Sequence, residues 1–211
     1  PPGRPRLWSG PDVASPDAGV LVLGCGAMAR ELLHVVEANG LEGVEVACLP
    51  AAYHNQPSLI PDALEARIVE AKGRYRKIFV AYGDCGTGGR LDAVLERHGV
   101  ERLAGAHCYE FLAGSATFSR LHDAEPTTFY LTDFLVRNFD RLVWRGLGLD
   151  RWPHLLSDYF GNYTRVVYLA QTDDPALTAR AEEAARRLGL RFERLLVGYG
   201  EMEPAIVEAA R

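Results

Sequence analysis

Lysine is almost missing from this chain: among 23 basic residues only Lys72 and Lys77 are lysine, and all the others are arginine. The bias reads as genomic composition and points to no function. Long apolar runs are missing too. The longest, near Val20, ends at Gly24, far short of the roughly 18 residues a membrane span requires. Positive charge is not in excess either. A net charge of −5 and a pI near 5.7 argue against nucleic acid as a partner, because that affinity rests on a basic surface. Cysteine is scarce, four residues in 211, and no CxxC pair is present, which excludes a zinc ribbon. The opening 19 residues hold proline, glycine and arginine but no apolar stretch of the kind that leads an exported chain. These features predict a cytoplasmic protein, in which the cysteines are buried thiols, metal ligands or catalysts rather than disulfides.

What is present suffices for a core. The hydrophobic fraction is 48% and the charged fraction 24%, the balance of a folded domain and not of a disordered one. Residues 1–18 contain five prolines and read as a flexible tail. From Gly19 onward, short apolar runs alternate with amphipathic segments. Strands are predicted at Val20–Gly24, Val44–Leu49 and Lys77–Tyr82, with a short one over Arg102–Ala106. Helices are predicted at Ala27–Asn39, Asp62–Lys72 and Leu91–His98. The alternation resumes with a strand at Arg165–Ala170, a helix at Pro175–Leu188, a strand at Arg191–Val197 and a last helix at Glu203–Ala210. Such order implies a Rossmann-like, doubly wound α/β fold with a mostly parallel sheet. The aromatic-rich stretch 109–162 reads as a helical insertion into one domain spanning 19–211. Asp133, in an otherwise apolar helix there, needs a partner, and Arg137 one turn on could serve.

Three cysteines share one setting. Cys25 follows the first strand in Gly24-Cys25-Gly26. Cys85 follows the third in Gly83-Asp84-Cys85-Gly86-Thr87-Gly88-Gly89. Cys108 lies in His107-Cys108-Tyr109-Glu110, after the short fourth strand. Ligands of parallel sheets bind outside the carboxyl ends of the strands, where these loops meet. Three thiolates there suit an iron–sulfur cluster or zinc. A cluster is preferred, since three separate loops surround it more readily than a single small ion. Cys48 lies inside a strand and reads as a small hydrophobe. His54, after the second strand, and Glu110 are candidate acid–base or supporting groups. Gly24, Gly26, Gly83, Asp84, Gly86 and Gly88 would form the cofactor-binding loops, their backbone approaching the bound group.

Two other readings of the glycines are weaker. The Val20–Gly26 segment is similar to the first motif of S-adenosylmethionine-dependent methyltransferases, but Leu49-Pro50 stands where an acidic residue should hold the ribose. The Gly83–Gly89 loop lacks the Gly-Lys-Ser/Thr ending of a phosphate loop.

Taken together, Gly-Cys-Gly after the first strand, the His54-Asn55-Gln56-Pro57 loop, Tyr82–Gly89, His107–Glu110 and Phe129–Leu135 resemble the DUF1638 family of bacterial and archaeal proteins. The likeness extends over roughly Gly19 to Gly200. It implies no assigned activity, but it does imply a context of corrinoid-dependent methyl transfer, with a corrinoid protein or a methyltransferase as partner. The expected function is a metal-dependent enzyme acting on a small molecule. A non-catalytic metal or corrinoid carrier is the alternative, and an S-adenosylmethionine-dependent methyltransferase a more distant one.

Overall fold

The computed structural model describes Arg6, Leu7 and residues 19–211, which fall into two compact units, 1–111 with 201–211 and 112–200. The remaining tail residues lie outside the described set. Arg6–Leu7 (β1) pairs in parallel with Glu45–Val46, so this part of the expected tail is a strand.

In the first unit β1 is joined by β2 (Val20–Cys25), β3 (Val44–Leu49), β4 (Lys77–Ala81) and β5 (Glu101–Arg102), all parallel, in the order β1-β3-β2-β4-β5. Helices α1 (Ala29–Ala38), α2 (Ile60–Ala71) and α3 (Arg90–His98) make the crossovers, and a further helix, Met202–Ala209, closes the unit. The short α4 (Cys108–Ala113) begins in it. β2 is central, and its run from Val20 to Gly24 is buried throughout, as a strand covered on both faces requires. Gly24 is glycine because a Cβ there would run into Leu32 Cδ1 on α1. Leu21, Leu23 and Val80 from the sheet pack with Ile60, Leu64 and Ile68 from α2 and Leu91 from α3 in one core.

The strand order fixes where loops meet. From β2 the chain crosses to β3 on one side, and from β3 it returns to β4 on the other. The loops after β2 and β4 therefore diverge at a topological switch point, the place where such sheets bind ligands.

The second unit holds α5 (Ser115–Ala124), β6 (Thr128–Thr132), α6 (Asp133–Arg137), a π-helical turn over Asp140–Trp144, α7 (Leu155–Phe160), β7 (Arg165–Ala170), α8 (Pro175–Leu188) and β8 (Arg191–Leu196). Its strands form a separate parallel sheet, β6-β7-β8. The α/β class with parallel strands and intervening helices is as expected. The single domain with a helical insertion over about 109–162 is not: that stretch contains β6, and β6 founds a second sheet. The apolar positions Phe129, Leu131, Phe134 and Leu135 fit a helical period, but β-branched Thr128 and Thr132 hold the first half extended. Thr132 then caps α6 by accepting from the Leu135 amide at 3.4 Å.

Candidate functional site

The switch point of the first unit gathers the cysteine loops. Loop 83–85 is laid along loop 105–106 by two backbone bonds, Asp84 N–H to Gly105 O (3.0 Å) and Cys85 N–H to Ala106 O (2.6 Å). Gly83 permits this approach, since a Cβ there would stand 2.8 Å from His107 Cα. Arg102 holds the second loop from below. It donates to both Asp92 carboxylate oxygens on α3 (2.6 and 3.0 Å) and to the carbonyls of Leu103 (2.6 Å) and Gly105 (3.2 Å). Cys25, at the end of β2, caps the following turn, its sulfur accepting from the Ala27 amide at 3.4 Å.

Cys25, Cys85 and Cys108 consequently lie near enough that charge on one raises the pKa of another. Backbone amides act toward the thiolate at each cysteine, Ala27 on Cys25, Gly83 and Cys108 on Cys85, and residues 108 and 109 on Cys108, and the Ala27 contact is a hydrogen bond. Amides favour the thiolate, but burial outweighs them. Burial and then the Cys25 charge push the Cys85 thiol up to about 11, and burial also raises Cys25 and Cys108. At neutral pH with no cation these are protonated thiols, which makes them poor nucleophiles. Cys48, in β3, is pushed up to about 12 by burial and by Cys25.

Cys85 stands out in its backbone. Its φ is +51°, the only positive value outside glycine among the described residues. Cysteine has no special ease in this region, and the strain is of order 1–3 kcal/mol. Glycine would sit there freely.

Tyr82, which the sequence reading assigns to the third strand, lies just beyond β4. Its ring is 2% exposed, its hydroxyl has no hydrogen-bond partner, and it faces the Cys25 thiol. Burial, followed by the Cys25 charge, raises its pKa far above the ordinary phenol value. An orphaned buried hydroxyl costs roughly 1–3 kcal/mol. The signal for it was position alone: Tyr82 is the last residue before the Gly83 loop.

The remaining candidates divide. His54 stands exposed in the turn Ala51–Asn55. Surrounding protein, and then His107, hold its pKa below the ordinary imidazole value. Glu110 is tied to its own loop, accepting from the Ala106 amide at 2.7 Å. Asp84 likewise serves its loop, accepting from Thr87 Oγ1 (2.6 Å) and the amides of Gly89 (2.9 Å) and Gly88 (3.1 Å). Burial alone would raise its pKa, yet these bonds together hold it below the usual carboxylate value. The expectation that the Gly88 amide faces a bound group thus meets a different arrangement: it points at Asp84. Gly86 packs its Cα side near Pro57, and Gly26 leaves room for the Leu49 carbonyl, 2.8 Å from where a Cβ would be.

In donor chemistry the set suits a soft cation, because it offers three sulfurs. In spacing it is open, for among the described residues no three His, Cys, Asp or Glu side chains are gathered as ligands of one metal ion.

Residues 48–206 match the family described as protein of unknown function (DUF1638). The matched span includes Cys48, His54, Cys85, Cys108 and Glu110 but not Cys25. No curated protein and no solved structure matches the chain. No helix of the described residues is long and apolar enough to cross a membrane.

Proposed function

This chain belongs to the DUF1638 family, and from its own residues we propose a metal-dependent enzyme acting on a small molecule, with Cys25, Cys85 and Cys108 as the ligands. The observation that carries the reading is Cys85: a cysteine held in a glycine conformation (φ +51°), near enough to Cys25 and Cys108 for their charges to act on one another. Glycine would take that conformation without strain, so what the cysteine adds there is its side chain. Thiols that burial keeps protonated become ligands only when a cation displaces their protons.

An iron–sulfur cluster is favoured over zinc. The donors suit either, and three separate loops surround a cluster more readily than a single small ion. Either group, held by three thiolates, keeps one position for substrate and supplies Lewis-acid activation of a carbonyl or thiol. The amides at the sulfurs would stabilise the thiolates. Tyr82 would donate its otherwise unused proton toward Cys25 and so fix that ligand's orientation. His54, exposed and with its pKa held below the ordinary imidazole value, would exchange a proton with solvent or substrate. Glu110 and Asp84 hold the two loops in register.

Metal analysis after purification without oxygen tests this. Wild type should carry iron with acid-labile sulfide, or else zinc. Cys25→Ser, Cys85→Ser and Cys108→Ser should each lose most of it, while Cys48→Ser keeps it. Equal metal content in all four variants, or none in wild type after reconstitution with iron and sulfide or with zinc, overturns the proposal.

A further inference from the structure

The three cysteines are held in place by different means. Cys25 is the last residue of β2 and stands opposite Leu49 of β3, so strand register sets its position. Cys85 lies within the irregular stretch 82–89, and Cys108 opens α4 directly after the irregular stretch 103–107. Neither has a strand or helix on both sides to fix it. Their backbone groups must be held by bonds between the loops and from side chains.

Arg102, the last residue of β5, supplies those bonds at one point. Its Nε and one terminal nitrogen grip both carboxylate oxygens of Asp92 on α3 (2.6 and 3.0 Å), and the other terminal nitrogen donates to Leu103 O (2.6 Å) and Gly105 O (3.2 Å). Gly105 O is shared. It also accepts the Asp84 amide at 3.0 Å, and the next carbonyl, Ala106 O, accepts the Cys85 amide at 2.6 Å. One carbonyl oxygen therefore joins the guanidinium to the Cys85 loop, and the same strip of chain runs on into Cys108. From the other side Glu110 accepts the Ala106 amide at 2.7 Å, and a Cβ at Gly105 would stand 3.0 Å from that carboxylate. The Arg102 side chain is 17% exposed and that of Asp92 54%, so the fork is inside and its anchor outside. Asp92 chiefly, and further the charges of Asp84 and Cys85, hold the Arg102 pKa above its ordinary value, which sets the cation beside the Cys85 loop as well as beneath it. Lysine could not take this place. Its three donors leave one atom, and they cannot grip a carboxylate at both oxygens while reaching two carbonyls.

We propose that Arg102 is the positioning residue of this site: forked on Asp92 and on the carbonyls of Leu103 and Gly105, it fixes the Cys85 and Cys108 loops against each other and so sets how tightly the metal is held. The inference rests on the three-thiol reading and adds that two of the ligands depend on one guanidinium, whereas Cys25 depends on the sheet.

Release of metal to an excess of chelator, followed on the full chain after oxygen-free loading with iron and sulfide or with cobalt in place of zinc, tests this. Arg102→Lys keeps the charge and loses the fork. It should release metal at least tenfold faster than wild type and shift the sulfur-to-metal charge-transfer band, with a metal-free urea midpoint close to wild type. Asp92→Asn, which leaves the fork a single acceptor oxygen, is the milder variant and should release metal at an intermediate rate. Arg97→Lys, at another arginine–carboxylate pair of α3 (Glu65, 2.9 Å), should match wild type. Wild-type retention and spectrum in Arg102→Lys, a wild-type rate in Asp92→Asn, equal weakening by Arg97→Lys, or a metal loss that only follows lost metal-free stability would each overturn the assignment and leave the ligands standing. No metal in wild type would overturn the ligand reading and this inference with it.

Discussion

Two clusters stand at the carboxyl ends of parallel strands in this protein, and they are built in opposite ways. In the second unit Asp133, just after β6, is 0% exposed and fully used. It accepts from Tyr168 Oη (2.6 Å), Thr172 Oγ1 (2.6 Å) and the Gln171 amide (3.1 Å), while its own amide donates to Gln171 Oε1 (2.7 Å). The predicted partner Arg137 is a lesser one, at 3.5 Å. In the first unit, the Cys25–Cys85–Cys108 cluster has an idle Tyr82 hydroxyl, a strained Cys85 and three thiols that burial keeps protonated. Position at a strand end is common to both. Polar satisfaction is not, and a buried network that closes on itself stabilises, whereas one left open invites a ligand.

Removing the closed network should produce the largest effect. Asp133→Ala orphans the Tyr168 and Thr172 hydroxyls and the Gln171 amide, and should destabilise the chain by roughly 3 kcal/mol or more in urea denaturation. A loss below about 1 kcal/mol would erase the contrast between the two clusters.

Alkaline pH should act on the open cluster instead. Cys85 has a folded pKa of about 11 against a reference value of 9.0. A raised pKa in an acidic group means stability fully present below the unfolded value and lost as pH rises through the folded one. Metal-free protein should therefore weaken between about pH 9 and pH 11, by about 2 kcal/mol. Metal-loaded protein, its thiols already deprotonated, should lack this slope. Identical pH profiles with and without metal would show that the thiols are not ligands.

Much of this was legible beforehand. The switch-point strands follow from continuous apolar runs such as Val20–Gly24, and so does the position of Cys25 and Cys85 where β2 and β4 give way to their loops. The second sheet was not legible, because Phe129–Leu131 is too short to separate a strand from a helix by its period. Nor were the roles of Asp84 and Glu110. A carboxylate beside a cysteine looks like a charge partner in sequence, and only the fold shows that it binds its own loop's amides. Tyr82 was hidden for a similar reason: an aromatic at a strand end reads as core until its hydroxyl is found without a partner.

Two tyrosines test the contrast at the scale of one atom each. Tyr168→Phe removes a hydrogen bond to a buried carboxylate and should cost about 1–2 kcal/mol. Tyr82→Phe removes a hydroxyl that meets only the Cys25 thiol, without a well-formed hydrogen bond, and should leave metal-free stability unchanged or slightly higher. If Tyr82→Phe is the more damaging of the two, the open cluster is not open.

The smallest effect is also the most specific. Cys85→Gly removes the Cβ that makes φ +51° unfavourable, at the cost of a more flexible unfolded chain and some lost packing of the thiol against the core. Strain relief of order 1–3 kcal/mol against about 1 kcal/mol of added backbone entropy leaves a metal-free protein equal to wild type or about 1 kcal/mol more stable. The same variant should retain almost no metal. Cys85→Ser keeps the strain and removes the ligand, so it should lose metal with no gain in stability. This pair separates backbone from thiol at one position. Should Cys85→Gly be clearly destabilised, the cysteine would be in place for its packing, and the case for a ligand at Cys85 would fall with it.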